Sequence, residues 1–172
     1  MGIYADQVLP RVIDRLLGNE AMAPCRSRSV DQISGVVCEI GFGSGPNVPL
    51  YPDTVERVYA VDPSPVAWHL ARERVARSPV PIEAVGLEGE ALPLNDASID
   101  TALSTWTLCT IADVDLALAE VRRVLRPGGR LVFLEHGLSD DIAQIGVRGQ
   151  HAKAVGADPR GIQQVLQKSL YM

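Results

Sequence analysis

The sequence predicts an α/β protein with a doubly wound, mostly parallel sheet of five strands. Short apolar runs rich in β-branched residues alternate with segments of helical periodicity, which is the pattern of strand–helix–strand units. The first clear strand, residues 36–40, ends in an acidic residue and breaks into the alternating glycines Gly41, Gly43 and Gly45. Glycines that directly follow a buried strand allow a tight loop whose backbone a ligand can touch.

Local signals predict the elements in order. Residues 4–17 have helical spacing of apolar side chains, whereas residues 19–35 show no clear period and are expected to be loop with at most a short helix, its arginines solvated. Ser64 can cap a helix that continues to about residue 77, and Asp113 can cap a second one. The five predicted strands cover residues 36–40, 57–61, 81–85, 98–104 and 130–135.

The composition is typical of one soluble globular domain. The chain has 172 residues and a hydrophobic content of 47%, enough for a sizeable core. Its formal net charge of −5 provides no positive field to attract a phosphate backbone, so we expect no nucleic-acid partner. The three cysteines have no metal-ligand spacing and are typical of free thiols in a reducing compartment. The absence of a long apolar run and of a signal-peptide pattern predicts a cytoplasmic protein without a transmembrane segment.

The spacing of the glycines discriminates among ligand classes. A dinucleotide fingerprint, Gly-x-Gly-x-x-Gly, would need glycine at position 46, where the chain has Pro46. A P-loop would need a lysine followed by Ser or Thr, and no lysine lies nearby. Asp62 lies 21 residues beyond Gly41, at the tip of the second predicted strand, where a carboxylate faces a ribose in doubly wound folds. The structural alternatives are a glycine turn of any α/β protein and an aspartate that opens a turn before proline.

The acidic residue and glycines Glu39-x-Gly41-x-Gly43-x-Gly45 resemble the first motif of class I S-adenosylmethionine (SAM)-dependent methyltransferases. Further short motifs that resemble those of methyltransferases lie at residues 47–52, 61–63, 107–109, 122–129 and 133–137. Together they resemble the type 11 group, which includes quinone and phospholipid methyltransferases and methyltransferase-like alkyl-thiol enzymes. The resemblance implies a Rossmann-like fold, SAM as the methyl donor and S-adenosyl-L-homocysteine (SAH) as the product.

The resemblance also implies a donor site at the ends of the first four predicted strands. Asp62 would accept hydrogen bonds from the ribose hydroxyls. Glu88 and Gly89 would hold the adenine, with Glu90 as a competing candidate for the acidic role. The candidate cofactor-binding residues are Glu39, Gly41, Gly43, Gly45, Asp62, Glu88, Gly89 and Thr105.

His136 is the candidate catalytic residue, because it follows the fifth predicted strand at the edge of the sheet where ligands bind. It can act as a base or orient the acceptor, and the alternative is a hydrogen-bonded structural histidine. Trp106 and Thr107 are candidate substrate-binding residues at the exit of the fourth strand. For Trp106, an aromatic side chain that fills the core is an equal alternative.

Two functional hypotheses follow. The first is a SAM-dependent methyltransferase that acts on a small, lipophilic acceptor such as a thiol, a phenol or a quinone precursor. The alternative is a SAM-binding fold with little or no turnover, because the C-terminal part of its acceptor site is incomplete. An NAD-type oxidoreductase is a weaker third hypothesis, disfavoured by Pro46. Peripheral contact with a membrane is compatible with a lipophilic acceptor.

The predicted organisation is a single domain with three parts. Residues 1–35 are a helical cap, residues 36–141 the SAM-binding α/β part, and residues 142–172 an atypical tail of loop with one helix at most. The full fold of the resembling group adds an antiparallel pair of strands, but the tail has no alternating apolar run long enough for a hairpin. We therefore expect the sheet to end at five strands, with that pair missing or altered. An uncovered edge strand would favour self-association.

Overall fold

The computed structural model of the chain describes residues 23–86, 91–137 and 149–156. Its elements, in chain order, are α1 (Ala23–Val30), β1 (Gly35–Ile40), a 3₁₀ turn (Val48–Leu50), β2 (Val55–Val61), α2 (Pro65–Arg77), β3 (Ile82–Val85), β4 (Ile99–Thr105), a second 3₁₀ turn (Leu108–Thr110), α3 (Val114–Val124), β5 (Leu125–Gly137) and β6 (Gly149–Gly156).

The six strands form one sheet with the order β3-β2-β1-β4-β5-β6. All pairs among β1 to β5 are parallel, which confirms the predicted class and its five parallel strands. The strand order reverses between β1 and β4. In doubly wound sheets, ligands bind in the crevice outside the carboxyl ends of the two strands at such a reversal.

The sheet does not end at β5, so the expectation of an uncovered edge there is wrong. The strand β6 pairs antiparallel with β5, from Arg130 opposite Gly156 to Gly137 opposite Gly149. Its sequence, Gly-Gln-His-Ala-Lys-Ala-Val-Gly, alternates polar and apolar residues only over residues 151–154, and the unpaired backbone groups that β5 would otherwise present explain the pairing. Among the described residues a single antiparallel strand, and not a pair, follows β5.

The helix starts agree with the sequence prediction. Ser64 Oγ accepts a hydrogen bond from the Ala67 N–H at 3.2 Å, and Asp113 Oδ1 accepts one from the Leu116 N–H at 2.9 Å. Both α2 and α3 therefore have side-chain N-caps. The strand β5 begins at Leu125, earlier than predicted. The helix predicted over residues 4–17 lies outside the described residues.

Both faces of the sheet are covered by apolar side chains. Successive strand residues point to opposite faces, so Cys38 packs in the cluster that includes the side chains of α3, and Val37 packs in the cluster that includes those of α1 and α2. This burial on both sides holds the carboxyl ends of the central strands in fixed positions. In the part of the chain that the structure describes, no helix has the length and apolar character needed to span a bilayer.

Candidate functional site

The loop after β1 has a left-handed backbone at each of its three glycines, with φ of +72° at Gly41, +59° at Gly43 and +71° at Gly45. A Cβ atom at Gly41 would overlap the side chain of Thr107, and one at Gly45 would lie 3.1 Å from Val48 Cγ2. At Gly43 the nearest atom to such a Cβ would be the Gly41 carbonyl oxygen, 3.9 Å away. Gly41 and Gly45 therefore permit packing, whereas Gly43 borders open space that a ligand can enter.

Asp62, directly after β2, holds this loop through a hydrogen bond to its backbone. Its Oδ2 accepts a hydrogen bond from the Gly43 N–H at 2.8 Å, and its Oδ1 accepts one from the Ser64 N–H at 2.8 Å. Arg74 of α2 adds a hydrogen bond of 2.7 Å to the Ser44 carbonyl. Asp62 is half-buried, and each carboxylate oxygen can accept a further hydrogen bond. The carboxylate can therefore hold the loop and accept hydroxyl groups of a ligand together.

Glu39, the last but one residue of β1, is buried beneath the loop, with 1% of its surface exposed. Its Oε1 accepts a hydrogen bond from Asn47 Nδ2 at 2.8 Å, and its Oε2 accepts one from the Tyr51 hydroxyl. Burial raises the pKa of Glu39 to about 7, although the hydrogen bonds from Tyr51 and Asn47 and the charge of Arg26 act in the opposite direction. Glu39 thus ties β1 to the chain that follows the glycines, and its direct contact with a cofactor stays a prediction.

Arg26 of α1 belongs to the same buried cluster. It is 4% exposed and donates hydrogen bonds from Nη1 to Asn47 Oδ1 at 2.7 Å and to Thr105 Oγ1 at 3.2 Å. Its guanidinium carbon lies 4.7 Å from the centroid of the Trp106 ring, a cation–π contact. The expectation of a solvated arginine is wrong here, because its partners lie on segments that are distant in sequence.

The turn after β4 is held by Glu135, which was not among the predicted site residues. Glu135 is buried, and its Oε1 accepts hydrogen bonds from the N–H groups of Thr107 and Leu108, both at 2.9 Å. Trp106, between β4 and these residues, has φ of 52°, an uncommon conformation outside glycine. Such backbone strain is found preferentially at functional sites. An acidic residue directly after the apolar run 131–134 was the available signal.

Of the predicted cofactor-binding residues that follow β3 in the chain, the structure describes only Thr105. Thr105 is buried, and its hydroxyl is engaged with Arg26 and with Asn47 Nδ2 at 3.2 Å, so it lies behind the glycine loop. Glu88 and Gly89 lie outside the described residues.

The backbone of His136 belongs to the carboxyl end of β5, where it pairs with Gln150. Two residues before it, the Leu134 carbonyl accepts a hydrogen bond from the Trp106 N–H at 2.7 Å. The backbone of His136 is therefore at the same sheet edge as the turn after β4. Its catalytic role stays a prediction.

An apolar cavity of about 110 Å³ adjoins the crevice. It begins at Ile40 and Val61, the residues directly before Gly41 and Asp62. Among the residues that the structure describes, the lining consists of Ile40, Val61, Leu92, Ile111, Ala112, Asp113, Ala117 and Glu120. A concave apolar site with a few polar groups beside it is the usual form of a small-molecule site. Sequence reasoning missed Leu92 and Ile111 as site residues, because neither lies in a periodic segment.

A doubly wound sheet with a glycine loop after β1 and a carboxylate after β2 defines the class of nucleoside-binding α/β proteins. Within that class, residues 38–133 match the family model described as Methyltransferase domain, which is more than half of the chain. The chain therefore belongs to this methyltransferase family.

The chain is also similar to individual proteins of known kind. Human thiol S-methyltransferase TMT1B is 37% identical over 110 residues, which cover 57% of this chain and 41% of that protein. The ubiquinone/menaquinone biosynthesis C-methyltransferase UbiE of Rubrivivax gelatinosus is 33% identical over 99 residues, covering 58% of this chain and 38% of that protein. The crystal structure of a SAM-dependent methyltransferase from Aquifex aeolicus has a TM-score of 0.64 at 19% identity, covering 77% of this chain and 76% of that one. That likeness shows the fold, while the matches span less than half of both curated relatives.

Proposed function

We propose that this protein binds SAM in the crevice between β1 and β4 and transfers its methyl group to a small acceptor. One observation carries the proposal. The Asp62 carboxylate accepts a hydrogen bond from the N–H of Gly43, which borders open space, and Val61, the residue directly before Asp62, lines the apolar cavity. Membership of the methyltransferase family supports the same conclusion.

The described residues fit a nucleoside sulfonium donor. Asp62 has lone pairs left for ribose hydroxyls, Gly43 leaves room for close approach, and the apolar cavity suits a purine ring. Glu39 is a positioning residue, because both its oxygens hold side chains of the loop segment. When bound, SAM supplies an electrophilic methyl group whose transfer leaves a neutral thioether.

Such a leaving group needs no general acid. Positioning of the donor and the acceptor therefore accounts for most of the rate enhancement. Orientation of two reactants can lower a barrier by roughly 7–11 kcal/mol. The buried cluster of Arg26, Glu39 and Asn47 holds the glycine loop and the exit of β4 in fixed relation. Glu135 fixes the turn that follows. These side chains provide the rigidity that positioning requires.

The acceptor side of the site comprises Trp106, Thr107 and His136. A thiol or phenol must lose a proton to become a good nucleophile, and His136 would hold that proton as a base. The names of the two curated relatives, a thiol S-methyltransferase and a quinone C-methyltransferase, support a small, lipophilic acceptor. Alkyl thiols are the first acceptors to test, followed by phenols and quinone precursors.

The experiment combines donor binding with a search for the acceptor. Calorimetry with SAH should detect binding by the wild-type protein and none by Gly43→Val, whose side chain would occupy the open space. Gly128→Val is the matched control, because Gly128 also has a left-handed backbone, with φ of +83°, and no atom within 4 Å of a Cβ position. Wild-type protein that binds no SAH, or Gly43→Val protein that binds it normally, would overturn the proposed donor site.

Methyl-labelled SAM, incubated with the protein and an acceptor panel, should give a labelled product by mass spectrometry. With the acceptor identified, His136→Ala should lower turnover more than it weakens donor binding, and His69→Ala, on the exposed part of α2, should change neither. Binding of SAH without transfer to any acceptor would instead support the alternative of a binding protein with little turnover.

A further inference from the structure

Arg123 of α3 makes as many hydrogen bonds as its guanidinium has N–H groups, which is five. Nε and Nη2 donate to the two carboxylate oxygens of Glu120, each at 2.8 Å. Nη2 also donates to the Leu92 carbonyl at 2.8 Å. Nη1 donates to the Leu94 carbonyl at 2.8 Å and to Asp96 Oδ1 at 2.6 Å. A single side chain of α3 thus fastens three residues of the segment 91–96.

Glu120 completes the attachment, because its Oε2 accepts a hydrogen bond from the Leu92 N–H at 3.0 Å. The backbone of Leu92 is therefore bound on both its N–H and its carbonyl by the Glu120–Arg123 pair. The hydrogen bond from Arg123 lowers the pKa of Glu120, and that from Glu120 raises the pKa of Arg123. Both groups consequently stay charged around neutral pH.

The attached segment forms part of the apolar cavity. Leu92 is 6% exposed and lines the cavity together with Ile40 and Val61, and Glu120 also lies in the lining. Leu92 belongs neither to a helix nor to an extended strand, so regular secondary structure does not fix its position. The pair on α3 supplies that restraint.

We propose that Glu120 and Arg123 are positioning residues for the nucleobase end of the donor site. By fixing Leu92 in a cavity lining that also includes Ile40 and Val61 from the ends of β1 and β2, they keep the cavity in the shape that receives the purine ring. This inference rests on the proposed function, since it assumes that the cavity receives the nucleobase. Neither side chain takes part in the transfer itself.

The test measures the affinity of Arg123→Gln for two ligands, SAH and 5′-methylthioadenosine, which share the nucleoside but differ in the amino-acid part. Both dissociation constants should rise by about tenfold or more, which is about 1.4 kcal/mol, and by the same factor, because both ligands carry the nucleoside that the cavity would receive. Arg122→Gln is the matched control, being the exposed neighbour of Arg123 on the same helix. It should bind both ligands as the wild type does.

A merely structural role would lower the melting temperature of Arg123→Gln but leave its affinity unchanged below that temperature, which would overturn the inference. Weaker binding of SAH alone would also overturn it, because the effect would then lie at the amino-acid end. Arg123→Lys retains the charge without the paired hydrogen bonds, so wild-type affinity in this variant would contradict the positioning role. Wild-type protein that binds neither ligand would overturn the proposed function itself.

Asp96→Asn provides a second variant that should fold, because the side chain of Asp96 is 78% exposed. This substitution weakens the hydrogen bond from Arg123 Nη1 to residue 96 and leaves the hydrogen bonds to the Leu92 backbone in place. The affinity for both ligands should fall in the same sense as in Arg123→Gln, but by less. A larger loss than in Arg123→Gln would contradict the central role assigned to Leu92.

Discussion

At the scale of single residues, the proposed donor site centres on the carboxylate of Asp62, which would hold both the loop and the ligand. Asp62 accepts hydrogen bonds from the N–H groups of Gly43 and Ser64, so it shapes the loop without a bound ligand. Its remaining lone pairs can then accept hydroxyl groups without a change in its own position. Loss of this side chain should therefore affect both the loop and the ligand.

The first prediction is that Asp62→Ala weakens SAH binding by about 1.5–3 kcal/mol, the usual contribution of a hydrogen bond to a charged group. Calorimetry on the folded variant measures this change. Asp53→Ala is the control, since Asp53 is an exposed acidic residue on the turn before β2. Unchanged affinity in a folded Asp62→Ala protein would remove the ribose role.

The second prediction concerns the pH dependence of stability at Glu39. Its pKa of about 7 in the folded protein lies above the ordinary value for a glutamate, mainly because of burial. The folded state then binds more protons than the unfolded state between the two pKa values, so stability falls as pH rises through this window. The unfolding free energy of the wild type should decrease from about pH 5 to pH 7 relative to Glu39→Gln, which has nothing to titrate there.

Denaturant unfolding of the wild type and Glu39→Gln at several pH values checks this expectation. The difference in free energy between the two proteins should change with pH. Parallel pH profiles would show that Glu39 does not titrate in this window. Tyr51→Phe removes one hydrogen bond that lowers the pKa of Glu39, so it should shift the wild-type profile to higher pH.

At the scale of elements, α1 is joined to the site by one buried side chain. Arg26 links this helix to the loop after β1 through Asn47 and to the end of β4 through Thr105. The contact with the ring of Trp106 adds a third attachment. The helix therefore helps to set the geometry of the crevice although it lies before the first strand.

The third prediction is that Arg26→Met lowers the unfolding free energy by about 1.5–3 kcal/mol or more. The buried side-chain oxygens of Asn47 and Thr105 would lose their charged hydrogen-bond donor. Arg28→Met is the matched control on α1, since Arg28 is exposed. Denaturant titration of both variants gives the comparison. Equal losses in the two variants would show that the buried hydrogen bonds of Arg26 contribute little.

At the scale of the whole molecule, the reversal of strand order between β1 and β4 predicts where a ligand binds. The glycine loop, Asp62, the cavity and the turn after β4 all lie at the carboxyl ends of neighbouring strands. A ligand that bridges these elements binds the folded chain and not the unfolded one. Ligand binding should therefore stabilise the fold.

The fourth prediction is that SAH, at about 100 times its dissociation constant, raises the unfolding free energy by about 2.7 kcal/mol. Thermal unfolding with increasing SAH measures the effect. NAD should give no shift at the same concentration, because Pro46 occupies the position where a dinucleotide loop needs glycine. A higher melting temperature with NAD and an unchanged one with SAH would favour the NAD-type oxidoreductase over the SAM-dependent methyltransferase.

The sequence by itself determined the parallel sheet, the caps of α2 and α3 and the glycine loop. These features follow from signals within a few residues, such as Ser64 before Pro65 or the glycines directly after a buried strand. The same local signals suggested Asp62 as a site residue, because its position after the second strand fixes the sheet edge at which it lies. Its hydrogen bond to Gly43 is consistent with that assignment.

Only the tertiary structure decided which polar side chains are buried and what they hold. Arg26 and Thr105 are 79 residues apart, and Glu135 lies 28 residues from the Thr107 N–H that it binds, so no local pattern connects either pair. The pairing of β6 with β5 likewise comes from backbone groups, which the sequence of β6 does not reveal. Contacts of this kind form only when distant segments meet, and their stability depends on exclusion of water from the folded core.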